Sequence, residues 1–136
     1  MSPPPANGSA TVTGVRQDSS LLLPFTLGHL ANDVGPCALW LIIPAAGAVM
    51  GLSPAEIGLL FAVTNFGSAL AFAPAGLLAD RVSNRGRLLL MTFWWVVLGY
   101  VVASFATGFW ALALLLAVAN MGDAAWHPIA TGVLTE

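Results

Sequence analysis

The sequence has no lysine, four arginines and six acidic residues among its 136 positions. Charged residues make up 7% of the chain, against about a quarter in an ordinary soluble domain. With a net charge of −2 there is no basic excess to hold nucleic acid. Cys37 is the only cysteine, which excludes an intrachain disulfide and a thiolate metal cluster. No glycine-rich phosphate loop sits between a strand and a helix, which disfavours a soluble nucleotide-dependent enzyme. Neither a cofactor nor a metal is expected. What is abundant is apolar surface: 58% of the residues are hydrophobic. A water-soluble fold this small leaves too much of its surface exposed to hide that fraction. The solvent that suits the chain is a lipid bilayer.

Residues 1–20 differ from the rest. They include Pro3, Pro4 and Pro5 and carry no apolar period, so they read as a disordered tail with too little apolar area to offset ordering. Four long apolar segments follow, at about residues 21–49, 54–79, 88–105 and 109–134. Each reaches or nearly reaches the ~20 residues that cross a ~30 Å hydrocarbon core as a helix. The fold class is therefore all-α and integral to the membrane, with four antiparallel spans. Ser53, Pro54 and Glu56 form a helix start with an N-cap, a proline in the first turn and a capping box. Asn84, Arg85 and Gly86 break spans two and three apart, and Ala106, Thr107 and Gly108 turn the chain between spans three and four.

Arginine sets the expected orientation. Arg16 precedes span one, and Arg81, Arg85 and Arg87 lie between spans two and three. The other two loops hold none. The positive-inside rule makes the arginine side cytoplasmic, with the amino terminus inside a cell inner (plasma) membrane.

Ionisable groups inside a span are costly, and each is a functional hypothesis. Span one holds His29 and Asp33, and span four holds Asp123 and His127. Each pair is spaced i, i+4 and shares a helix face. At about 1.5 Å per residue, Asp33 lies roughly 18 Å into span one and Asp123 roughly 21 Å into span four. Running in opposite directions, the two spans bring both pairs to one level near the midplane. Asn32 and Asn120 add amides nearby. A histidine one turn from a carboxylate can hold or pass a proton near neutral pH. The plainer alternative is a buried pair that ties helices together, worth about 1 kcal/mol or less. Pro36, Pro44, Pro74 and Pro128 each remove an amide donor within a span. Pro128 frees a carbonyl one turn upstream, beside Asp123. Gly58, Ala62, Gly67, Ala71 and Ala75 give span two a run of small residues suited to close packing. Trp126 lies deep beside His127, where it fills space or lines a path.

The loop after span two reads Gly76-Leu77-Leu78-Ala79-Asp80-Arg81-Val82-Ser83-Asn84-Arg85-Gly86-Arg87. It resembles the major facilitator signature G-x-x-x-D-R-x-G-R-R. Gly76, Asp80 and Arg81 match, Ser83 and Asn84 depart from the pattern, and Arg85 restores a charge. Leu27 to Asp33 resembles the first span of fosmidomycin-resistance-type exporters. Gly122 to Pro128 resembles the G-S-A-F-F-H-P stretch of their fourth span, with Asp123 in place of a small residue. The arginine and glutamine of many drug–proton antiporters are missing from span four.

This resemblance implies a twelve-helix fold of inverted three-helix repeats, of which the chain supplies the first four spans. It implies a secondary transporter, not an enzyme, exporting a small organic molecule or drug by proton-coupled alternating access. Its partners would be that substrate, protons, the lipid bilayer, and the remaining spans or another copy. His29, Asn32, Asp33, Asn120, Asp123 and His127 would line the substrate and proton cavity. Gly76, Asp80, Arg81 and Arg85 would form a conformational latch. Three alternatives stand beside it: a self-sufficient four-helix exporter working as a dimer, a haem-binding bundle with His29 and His127 as axial ligands, and a non-transporting scaffold.

Overall fold

The computed structural model describes residues 19–134. Most of the expected tail therefore lies outside the described residues. Ser19 and Ser20, assigned to it from sequence, already open the first helix. Four helices make up the described residues: α1 (Ser19–Met50), α2 (Pro54–Arg81), α3 (Arg85–Ala103) and α4 (Phe109–Leu134). Each is long and apolar enough to cross a membrane. Spans joined by connections as short as residues 51–53, 82–84 and 104–108 must alternate in direction.

Local chemistry explains the boundaries. Gly51 at φ +69° takes the left-handed conformation that ends α1 without a Cβ penalty. Behind it, the Leu52 amide donates to the Gly47 carbonyl at 2.8 Å. Ser53 then caps α2. Its backbone amide donates to the Glu56 carboxylate at 2.7 Å, and its Oγ accepts from the Glu56 amide at 3.3 Å. Asn84 caps α3, its Oδ1 accepting from the Arg87 amide at 3.0 Å. That cap starts α3 at Arg85, three residues before the apolar run begins at Leu88. A reading based on hydrophobicity misses a polar first turn. At its other end α3 stops at Ala103, not at residue 105. Ser104, Phe105 and Ala106 tighten into a turn, with Phe105 donating to Val102 and Ala106 to Ala103. The helices run through Pro24, Pro36 and Pro44 in α1, Pro74 in α2 and Pro128 in α4.

α4 is the central element, packed chiefly against α2 and α3, while α1 leans more lightly on α2 and α4. α2 meets it along a stripe of Leu60, Thr64, Gly67, Ala71, Ala75 and Ala79, all buried. The spacing of three and four residues puts them on one face. Gly58 and Ala62, named with them as small residues suited to close packing, are exposed. They sit a helical quarter-turn or more away from the stripe. The closest approach is at Gly67, where a Cβ would stand 2.6 Å from the Ala117 carbonyl oxygen. Gly76, the glycine of the signature, is looser: a Cβ there would meet Pro128 at 3.9 Å, an ordinary contact. α3 is pinned to α4 by Trp95, whose indole Nε1 donates to the Val118 carbonyl at 2.7 Å. The outward faces carry Leu30, Leu41, Val49, Phe66, Leu98 and Val101, all exposed, as lipid-facing residues are. The order of packing leaves one face of α1, with its polar residues, beside α4 and only partly covered.

Candidate functional site

Two helices supply the polar groups. α1 presents His29, Asn32 and Asp33 within two adjacent turns, and α4 presents Asp123 and His127. The first pair closes as its spacing expects: His29 Nε2 lies 2.9 Å from Asp33 Oδ2. The second does not close into a hydrogen bond. Asp123 turns across to α1 instead, its carboxylate accepting from Asn32 Nδ2. The same Nδ2 lies 3.5 Å from the Asp123 backbone carbonyl. His127 Nε2 faces Asp33 Oδ1 at 3.9 Å, too long for a hydrogen bond. Asp33 thus stands between two imidazoles, and Asp123 is held by an amide.

Aromatic rings wall the cluster. The His29 and His127 rings lie 5.4 Å apart, nearly edge to face. Trp126 lies 5.3 Å from His29 and 5.4 Å from His127. Phe93 meets the far side of Trp126, and Phe72 lies parallel to His127 at 6.4 Å. Trp126 is buried, whereas the side chains of His29, Asp33 and His127 stay 55%, 40% and 34% exposed. The cluster is lined on one side and open on the other. Both imidazole Nε2 atoms face Asp33, an arrangement for sharing a carboxylate. It is not one in which they oppose each other across a haem plane.

Asn120 stands apart from the other five. It is buried and accepts a hydrogen bond from the Tyr100 hydroxyl at 2.6 Å, so it joins α4 to α3. Tyr100, Phe72 and Phe93 were not singled out from sequence. Tyr100 had a usable signal: it is the only tyrosine, and its hydroxyl lies in an otherwise apolar span where it needs a partner. The phenylalanines had none, because an apolar ring in an apolar span has no distinguishing pattern. A cleft of about 640 Å³ runs between α1, α3 and α4, lined by Gly35, Leu39, Ile42, Tyr100 and Leu116 among others. It does not include the His and Asp cluster and is almost wholly apolar.

The expected latch residues divide. Arg85 joins two helix ends, its Nε donating to the Ala79 carbonyl at 3.1 Å and its Nη1 to the Gly132 carbonyl at 2.7 Å. Asp80 and Arg81 are exposed. Gly76 lies in α2 opposite Pro128.

Four apolar spanning helices with polar groups gathered between two of them define a multi-pass helical membrane protein. Residues 21–136 match the family model of the Major Facilitator Superfamily. The chain belongs to that superfamily, whose members are transporters and not enzymes. It is also similar to a protein of Cupriavidus pinatubonensis (strain JMP 134 / LMG 1197) described as a probable 4-methylmuconolactone transporter. The two are 28% identical over 95 residues, covering 70% of this chain and 22% of that relative. The chain thus corresponds to about a fifth of the relative's length. No solved structure matches the chain.

Proposed function

We propose that this chain carries the coupling part of a secondary transporter that exports a small organic molecule by proton-coupled alternating access. The observation that carries the reading is the placement of Asp33 between His29 and His127, on two different helices. A carboxylate that bonds one imidazole and faces a second offers a path for a proton between the two helices. A link that spans α1 and α4 couples the charge of the site to how the helices sit. Asp123 and Asn32 would complete the cavity wall, and Asn120 would position α4 through Tyr100. Gly76, Asp80, Arg81 and Arg85 would act as the latch between spans two and three. The stretches 27–33 and 122–128 support a fosmidomycin-resistance-type exporter, and with it outward transport. The arginine distribution supports a plasma-membrane orientation with the amino terminus in the cytoplasm. The relative's name makes a small lactone the first substrate to try.

The test uses the whole-length transporter that contains this segment, reconstituted in vesicles with a pH-sensitive dye inside. Adding a transported lactone or drug should move protons in the direction opposite to substrate. Asp33→Asn should abolish the proton signal. Substrate flux that persists with no proton movement in the unaltered protein would sink the coupling.

A further inference from the structure

We propose that Asp33, Asp123 and His127 form a binding site for a divalent transition-metal cation between α1 and α4. The inference goes beyond the transport reading and does not depend on its substrate or direction. Spacing along a single helix did not suggest a metal, because the ligands come from two helices 90 positions apart in sequence.

The geometry has three parts. One ligand atom from each of the three side chains lies within 4.8 Å of the others, and all three residues are part-buried. Two atoms bound to one ion at ~2.0–2.2 Å stand roughly 3.4 Å apart at a tetrahedral angle and about 4 Å apart at wider ones. The 3.9 Å between His127 Nε2 and Asp33 Oδ1 is too long for a hydrogen bond and falls within that range. The supporting shell is also present. His29 bonds the other oxygen of Asp33, and Asn32 holds the carboxylate of Asp123. Metal sites rely on such outer partners to orient their ligands.

A separate observation comes from Asn32. It is 2% exposed, and its Oδ1 is buried with no hydrogen-bond partner. That oxygen shares a carbon with the Nδ2 that touches Asp123, so it lies at the edge of the cluster. A buried acceptor without a donor costs about 1–3 kcal/mol, so Asn32 is held beside Asp123 at a cost that its Nδ2 contact alone does not explain. Charge points the same way. Two carboxylates at mid-membrane depth need compensation, and a divalent ion supplies it. An imidazole with two carboxylates suits Zn²⁺, Co²⁺, Ni²⁺ or Mn²⁺ better than Mg²⁺ or Ca²⁺, which favour all-oxygen sites. Because the ion and protons balance the same charge, an occupied site should also block proton-coupled transport.

The test uses the full 136-residue chain in lipid nanodiscs, with any purification tag removed and Co²⁺ as the probe. The unaltered chain should show saturable visible absorption at one Co²⁺ per chain, reversed by a chelator. Asp33→Asn, Asp123→Asn and His127→Ala should each abolish it, and Asp80→Asn should leave it intact. Circular dichroism establishes that each variant keeps its helices. Asn32→Ala keeps all three ligands, so it serves where a ligand variant fails to fold, and it should weaken binding roughly 10- to 100-fold. No saturable band from the unaltered chain overturns the site and leaves the transport reading standing. Binding that survives Asp33→Asn and Asp123→Asn unchanged overturns it as well.

Discussion

Asn32 of α1 donates its side-chain amide to the carboxylate of Asp123 of α4, 91 residues further along the chain. This bond crosses between helices that otherwise touch lightly, so it fixes how α1 sits against α4. Replacing Asn32 by Leu removes the donor and leaves Asp123 facing an apolar group. Single polar contacts between membrane helices are worth about 0.6 kcal/mol on average and up to ~1.7. The lower part of that range is expected here, because the substitution also removes the partnerless Asn32 Oδ1. Equilibrium unfolding of Asn32→Leu in mixed micelles measures it, and an unchanged stability would contradict the tie.

Gly67 and Gly76 give a paired prediction. A methyl at Gly67 would press on the Ala117 backbone at 2.6 Å, and backbone does not step aside as a flexible side chain does. Gly67→Ala should cost about 1–3 kcal/mol, the usual range for overpacking. Gly76→Ala meets only Pro128 at 3.9 Å, so its effect should stay within about 0.5 kcal/mol. The two variants are compared by thermal aggregation in the same detergent. Equal losses would show that the signature glycine packs more tightly than its distances imply.

The pair also shows where sequence reading works and where it stops. Helix periodicity and capping chemistry are local, so the four spans and the Ser53–Glu56 box were legible from residue order. The i, i+4 contact of His29 with Asp33 is local in the same way. Depth arithmetic could place two polar pairs at one level. It could not show that Asp123 would leave His127 and bond Asn32, because that choice depends on how two helices rotate about their axes. The same freedom separates Asn120, turned to α3, from Asp123 three residues later. Which small residue of α2 makes the closest contact is hidden for a related reason. A motif marks Gly76, but only the crossing point of α2 and α4 decides that Gly67 is the close contact. Arg85 was expected to supply charge to a loop, yet its two carbonyl partners belong to separate helices.

Tyr100 and Asn120 form a closed pair whose loss should be asymmetric. Tyr100→Phe removes the hydroxyl and leaves the Asn120 Oδ1 buried without its donor. The expected cost is about 1 kcal/mol. Asn120→Leu made in the Tyr100→Phe background should cost less than in the unaltered chain, since the partner is already gone. A double-mutant cycle on unfolding free energies reads that coupling directly. Strictly additive losses would mean that the 2.6 Å contact contributes nothing.

Arg85 carries the last prediction. Its guanidinium reaches the Ala79 carbonyl near the end of α2 and the Gly132 carbonyl near the end of α4. Both are among the last carbonyls of their helices, where the negative end of the dipole lies. One planar fork therefore neutralises two helix ends and holds them together, which a lysine point charge does less well. Arg85→Ala should destabilise the chain by about 1–2 kcal/mol, near the value of a hydrogen bond to a charged group after discounting partial exposure. Arg85→Lys should recover only part of it. Arg87→Ala removes the same charge from the same first turn of α3, but its side chain is exposed, so it should change little. The comparison separates the loss of a bridge between α2 and α4 from the loss of positive charge. If Arg87→Ala and Arg85→Ala fall together, the start of α3 acts through its charge alone.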